Sequence, residues 1–311
     1  MTEESCKPGD DAAERRCGFI AVIGAPNAGK STLVNRLVGA KVTIVSHKVQ
    51  TTRAPVRGIA IHGASQLVFI DTPGIFRPRR RLDRAMVEAA WGGAGDADVV
   101  ALIVDVAKGL DEDTHRILDK LRGQSRRMVL ILNKVDRVAA KEKLLALVAE
   151  VTREVAFDRV FMISALSGDG VSDLLDYLAA AVPAGPWHYP EDEISDLPLR
   201  QLAAEITRER LYHRLHEELP YAATVETTAW KELRDGSVRI EQTIFVARDS
   251  QRAIVLGKDG RTIKQISSEA RAELVRIVEK PVHLFLFVKV AEGWERDPER
   301  YREMGLEFPP E

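Results

Sequence analysis

From residue 17 onward the chain alternates short, nearly continuous apolar runs with stretches whose apolar positions recur every three or four residues. The runs are GFIAVIG, QLVFID, DVVALIVDVA, RMVLILNKVD and VFMISAL, and helical spacing lies over 31–37, 115–121, 141–155 and 171–182. Strands apolar on both faces, interleaved with amphipathic helices, predict an α/β unit whose sheet is mainly parallel and covered on both sides. VRGIAIH and QLVFID, separated only by GAS, predict a hairpin instead, which makes the sheet mixed.

The pattern breaks at PAGPWHYPEDEISDLP, where four prolines flank an acidic cluster and indicate a linker. A helix is expected over 199–219, then a hairpin of AATVETTAWKEL and SVRIEQTIFVAR around RDG. A glycine-containing turn between helical stretches and the alternating strand PVHLFLFVKV complete a second, α+β unit. The expected organisation is a disordered tail to 16, a first domain over 17–183, a linker over 184–198, a second domain over 199–291 and an extension over 292–311.

The 311 residues suit about two domains, and 45% apolar with 30% charged residues is an ordinary globular balance. A net charge of -2 points to no partner. Cys6 and Cys17, the two cysteines, lack C-x-x-C spacing and read as unpaired thiols of a cytosolic protein. The polar start has no apolar signal core, and no run approaches the roughly 18–20 apolar residues of a membrane span. A cytoplasmic location is expected.

GAPNAGKST fits G-x-x-x-x-G-K-[ST] between a strand and a helix. Gly24, Ala25, Pro26, Asn27, Ala28 and Gly29 would wrap phosphates with backbone N–H groups, Lys30 would reach the terminal oxygens, and the Ser31 hydroxyl, beside Thr32, would face Mg²⁺. DTPG supplies Asp71 for the Mg²⁺ shell, Thr72 and Pro73 for the turn, and a Gly74 N–H for a terminal phosphate. Ile75 follows, where a glutamine could orient the attacking water. In NKVD, with Asn133, Lys134 and Asp136, the acid can accept two N–H bonds from guanine that adenine does not offer. ISAL could turn the backbone N–H groups of Ser164, Ala165 and Leu166 toward the guanine O6. Each motif alone also fits an ordinary loop. Their order, each at the carboxyl end of a strand where open α/β sheets bind ligands, points to one nucleotide site.

In the second unit IVLGKDGRTIKQI contains G-x-x-G, a spacing that lets phosphate approach a backbone and that also suits a plain turn. A helix and hairpin before it, and a helix and strand after it, are the element order of a type II KH fold. Seven basic against four acidic residues over 254–290 leave only a modest positive surplus.

The first unit's motifs resemble those of the TRAFAC-class GTPases. A single such unit followed by a KH unit is similar to the bacterial Era GTPases, and YPEDEISDLP, ELPYAATVE, DGSVRIEQTIFV and PVHLFLFVKV carry the likeness onward. Only the tail and WGGAGDAD do not share it. The resemblance implies a P-loop GTPase fold and slow hydrolysis of GTP to GDP and phosphate, with Lys30, Thr52, Gly74 and Asn27 in catalysis and Mg²⁺ held by Ser31, Asp71 and Thr52. Thr51 is the alternative switch threonine; Thr52 is preferred because it directly precedes Arg53. Related GTPases hold K⁺ near an asparagine placed like Asn27, though a tight loop also favours asparagine without an ion. The resemblance further implies a monomer that binds the 3′ end region of 16S ribosomal RNA and assists 30S subunit assembly and maturation, with peripheral contact to the inner membrane. RNA contacts would come from Ile254, Gly257, Lys258, Asp259, Gly260, Arg261, Ile263 and Lys264. Two other classes stand beside this one: an RNA-binding scaffold with a structural nucleotide site, and a membrane-associated signalling or cell-cycle GTPase.

Overall fold

The computed structural model describes residues 14–48, 50–215, 219 and 221–310. Its first sheet runs in the order β2-β3-β1-β4-β5-β6, formed by β1 (Arg16–Ile23), β2 (Val56–His62), β3 (Ser65–Asp71), β4 (Val99–Asp105), β5 (Arg127–Asn133) and β6 (Arg159–Ile163). All neighbours pair in parallel except β2 and β3, whose antiparallel hairpin sets Val56 opposite Asp71 and His62 opposite Ser65. Gly63, at φ 58, makes the turn between them.

One face packs Ile20, Val22, Leu67 and Phe69 beneath α1 (Lys30–Val38) and α5 (Val171–Ala181). The other packs Ala21, Ile23, Leu102 and Leu130 beneath α2 (Arg81–Gly95), α3 (Glu112–Leu121) and α4 (Lys141–Glu154). Such double coverage is why these strands read as unbroken apolar runs. No helix was expected at α2, because Arg81, Arg84 and three glycines dilute its apolar period. Asp83 fixes its start by accepting from the Arg79 and Arg80 N–H groups at 2.9 and 3.0 Å.

The second sheet, β7 (Ala223–Glu232), β8 (Val238–Val246) and β9 (Val282–Val290), pairs β7 with β8 antiparallel and β8 with β9 parallel. The helices α6 (Leu199–Arg214), α7 (Asp249–Leu256) and α8 (Arg261–Val278) bury Ala203, Ile206, Val255, Ile266 and Leu274 against it. The helix expected to reach 219 stops at Arg214; 216–218 and 220 lie outside the described residues. So does most of the expected tail, with Cys6, while Arg16 already pairs in β1.

Two segments outside the sheets pack closely. The segment 184–198, expected to be a linker, is strapped to the first sheet: the Gln66 amide accepts from His188 and Tyr189 N–H, and Ile59 N–H donates to Ile194 O at 2.9 Å. The extension, with α9 (Pro298–Glu303), sets Trp294, Tyr301 and Leu306 against Leu82, Ala85 and Met86 of α2.

Helix α6 also grips the loop after α1. Glu209 accepts from Val45 N–H at 2.8 Å and pairs with Lys41 at 2.7 Å, the Tyr212 hydroxyl reaches Gln50 O at 3.2 Å, and the buried Arg208 guanidinium donates to Thr51 O while pairing with Glu205. Arg53, from the same loop, crosses to Ala223 O at 2.9 Å and lies over Trp294. Arg208→Ala removes a buried charge partner and orphans a carbonyl. It should lower unfolding stability by about 2 kcal/mol, read as a shifted urea midpoint; an unchanged midpoint would show that the grip is not energetic.

Candidate functional site

The turn from β1 into α1 is shaped by close approach. A Cβ on Gly24 would lie 2.4 Å from Ile103 O, and one on Gly29, whose φ is 105, would lie 2.2 Å from Asn133 Nδ2. Gly29 caps α1 without a side-chain acceptor, so the first-turn N–H groups face the cleft. Lys30 folds back to donate to Gly24 O and Ala25 O, both at 3.0 Å. Burial lowers its pKa to about 8; Asp71 opposes this, and the positive Lys108 and Lys134 add to it.

Asp71 ends β3 with its carboxylate fully buried. Its Oδ2 accepts from the hydroxyls of Ser31 at 2.8 Å, Thr43 at 2.9 Å and Thr52 at 3.2 Å, and Ser31 and Thr52 lie 3.0 Å apart. Among the described residues Oδ1 has no partner, and burial pushes the carboxyl pKa up. Two hydroxyls and an unsatisfied buried carboxylate oxygen fit a small hard cation, since Mg²⁺ takes few protein oxygens and completes its shell with water and phosphate. Thr52, not Thr51, joins this cluster; the Thr51 hydroxyl bonds Ser46 and Lys48 O within the loop.

Asn133 does not present its amide to the cleft. Nδ2 donates to Ala28 O at 2.8 Å and Oδ1 accepts from Ala165 N–H at 2.9 Å, tying three loops together. Lys134, in the left-handed region at φ 68, spans Asn27 O at 2.7 Å and Asp105 at 2.5 Å. Asp136 stands exposed on a short 3₁₀ turn, with no hydrogen bond to another described residue. The expectation for ISAL needs correction: Ser164 N–H is taken by Asp169 O and Ala165 N–H by Asn133, which leaves the Leu166 N–H of the three.

Thr72 is buried, its hydroxyl on Val22 O at 2.8 Å, and Pro73 is buried beside it. A Gly74 Cβ would sit 3.0 Å from Pro26, so the DTPG turn rests on the phosphate loop. Ile75 points into the core with Ile23 and Leu102, and its N–H bonds Gly24 O at 3.1 Å. It acts as an anchor. Asn27, at φ 63, donates its amide to His47 O at 2.9 Å, bridging the phosphate loop to the Thr52 loop. Asn27, Lys30, Ser31, Thr52, Gly74, Lys134, Asp136 and Leu166 line one cavity of about 410 Å³, and Asp71, Thr72 and Ile75 are not part of its lining.

The G-x-x-G loop joins α7 to α8. A Cβ on Gly257 would lie 2.1 Å from the Thr262 hydroxyl, while one on Gly260, at φ 71, would touch Ile263 and Lys264 at 4.0 Å. Lys258, Asp259, Arg261 and Lys264 are exposed, as is Ile254 at 55%. Ile263 leans on the core.

Sequence reasoning missed Thr43, Asp105, Arg53 and Arg208. Thr43 and Asp105 belong to no local motif and matter only through partners 28 and 29 residues away. The two arginines could be found only by asking which charges the packing buries.

Two family models match: "50S ribosome-binding GTPase" over residues 19–134 and "KH domain" over 218–295. GTPase Era of Rhizobium meliloti is 63% identical over 309 residues, covering 99% of this chain and 98% of its own, and that of Mesorhizobium japonicum is 66% identical over 292 residues, covering 94% of each. Among solved structures, Era in complex with MgGDPNP and nucleotides 1506–1542 of 16S ribosomal RNA superposes with a TM-score of 0.88 at 36% identity, covering 94% of this chain and 99% of that one. A variant of Aquifex aeolicus Era bound to GDP and AlF4⁻ gives 0.89 at 36% identity, covering 93% and 99%. With the motif-bearing loops meeting in one cleft and full-length relatives at this identity, the chain belongs to the Era family of GTPases.

Proposed function

We propose that this chain hydrolyses GTP with Mg²⁺ and uses the state of its loops to govern how the second unit holds the 3′ end region of 16S ribosomal RNA during 30S assembly and maturation. The observation that carries this is the convergence of the Ser31 and Thr52 hydroxyls on the buried Asp71, beside a cavity that also reaches Asp136. One matching family model is described by the 50S ribosome, but it spans only 19–134. The 16S reading rests on the relative bound to that RNA, which covers both units. We take 17–183 as the GTPase domain, 184–198 as the linker, 199–291 as the KH domain and 292–311 as an extension. A monomer in the cytoplasm fits this reading. Among the described residues no helix is long and apolar enough to cross a membrane, and peripheral contact with the inner membrane rests on the family resemblance.

Ser31, Thr52 and Asp71 would hold Mg²⁺, which supplies charge neutralisation to the phosphates. The exposed first turn of α1 and Lys30 would bind the phosphate oxygens, and Gly74 N–H would meet the terminal one. Asp136 would accept from guanine while Asn133 and Lys134 hold the loop in place. Ile75 has no hydrogen-bonding group, so water must be oriented by backbone donors or by groups near Asn27, whose Oδ1 stays available for K⁺. Thr52 couples to the KH unit because the residues on either side of it are gripped there, Thr51 through Arg208 and Arg53 through β7.

Asp136→Asn should weaken GTP binding about 100-fold and favour xanthine nucleotides; competition binding with GTP and XTP measures it, and unchanged GTP affinity would remove Asp136 as the guanine reader. Gly260→Asp adds a carboxylate to the loop at a left-handed position (φ 71), so it should abolish RNA binding in a gel shift and lower the melting temperature somewhat while nucleotide affinity holds; retained RNA binding would overturn the KH assignment. Lys30 titrates near about 8 and phosphate favours its charged form. Binding above that pH must therefore take up a proton, and affinity should fall by up to about tenfold per pH unit. Calorimetry in buffers of different ionisation enthalpy should show uptake at about pH 8.5 and little at about pH 6.5; no uptake at either would remove Lys30 from phosphate binding.

A further inference from the structure

The three hydroxyls that donate to Asp71 Oδ2 differ in what else they can reach. Ser31 and Thr52 line the nucleotide cavity, whereas Thr43, only 3% exposed, is not part of its lining even though its Oγ1 lies 2.9 Å from the carboxylate. Thr43 would thus touch neither nucleotide nor ion. Its one route to them is through Asp71.

The place of Thr43 is fixed by the protein itself. Asn35, in the last turn of α1, accepts from the Val42 and Thr43 N–H groups through Oδ1 at 2.9 and 3.0 Å and donates from Nδ2 to Thr43 O at 2.8 Å. It follows Ser31 by four residues, so one helix face carries a hydroxyl for Asp71 and, a turn later, the amide that holds another. On either side of Thr43, Lys41 and Val45 are bound to Glu209 of α6. Ser31 and Thr52, 3.0 Å apart, instead present hydroxyl oxygens that a hard cation would draw to itself. The torsion that turns an aspartate carboxylate is broad, so hydrogen bonds set its plane. Of the three donors, Thr43 is the one held independently of the ion.

We propose that Thr43 is a positioning residue for Mg²⁺: anchored by Asn35, its hydroxyl fixes the Asp71 carboxylate so that Oδ2 takes the hydroxyls and Oδ1 is left for the ion's shell. The proposal rests on the Mg²⁺ reading of Ser31, Thr52 and Asp71 and adds to it a residue outside the cleft. Outer partners of this kind commonly contribute about 10- to 100-fold to metal affinity. If Thr43 served packing alone, valine would replace it, since valine matches its shape and leaves the backbone bonds to Asn35 in place.

The test reads Mg²⁺ affinity and not turnover. The full chain is loaded with a fluorescent, non-hydrolysable GTP analogue, mant-GDPNP, and release of the analogue is followed over a series of buffered Mg²⁺ concentrations. Thr43→Val should raise the Mg²⁺ concentration that gives half-maximal slowing of release about tenfold, while the release rate in EDTA stays that of the wild type. Thr43→Ser should restore the wild-type midpoint. Asn35→Ala should move the midpoint the same way as Thr43→Val, and the two together should move it no further than the larger single change; full additivity would overturn the anchoring by Asn35. An unchanged midpoint in Thr43→Val would overturn the proposal and leave the Mg²⁺ reading standing. Equally faster release with and without Mg²⁺, or no restoration by Thr43→Ser, would assign Thr43 to packing and overturn the proposal as well. Wild-type release that no Mg²⁺ concentration slows would overturn both readings.

Discussion

Everything in the nucleotide half is arranged around a carboxylate that water cannot reach. Asp71 sits at the end of a strand buried on both faces, and its charge is tolerable there only because three hydroxyls, one from α1 and two from the loop that follows it, converge on one oxygen. Ser31 brings the phosphate loop, Thr52 the loop after α1, and Thr43 the start of that loop. Among the described residues the second carboxylate oxygen has no partner, and a divalent cation beside it would supply one. Lys30 shows the converse effect: burial lowers its pKa to about 8, and the nearby Asp71 opposes that shift.

That cluster also ties the cleft to the second unit. Thr52 lies between two residues whose bonds lead elsewhere, Thr51 O to Arg208 and Arg53 to β7. A loop held from both sides has few intermediate positions, so moving its threonine means moving the grip. Lys41, Glu209 and Glu273 set the same loop's start against α6 and α8.

Much of this was legible in the residues, for physical reasons. Unbroken apolar runs mark doubly covered strands, and the phosphate loop, DTPG, NKVD and the glycine pair are local signals because each is a short contiguous segment with its own backbone geometry. The preference for Thr52 over Thr51 agrees with the hydroxyl bonding. Illegible were the things set by long-range packing: helix α2 with its diluted period, the docking of the extension, the grip of Arg208, and the amide of Asn133, which ties loops together. Ile75 is instructive. Read as a missing glutamine it suggests a defect; in the fold it is a core anchor whose N–H pins DTPG to the phosphate loop.

The strapped linker has a consequence for how the molecule behaves in a crowded solution. Strand β2 is the outer strand of its sheet, and an uncovered edge offers unpaired N–H and C=O groups to any extended chain. Here Ile194 accepts from Ile59 N–H, Ser195 bridges to Gly58, and Asp196 pairs with Arg57. The segment joining the two units thus seals the edge along which a second polypeptide could add, so this connection guards against self-association as well as joining the two units.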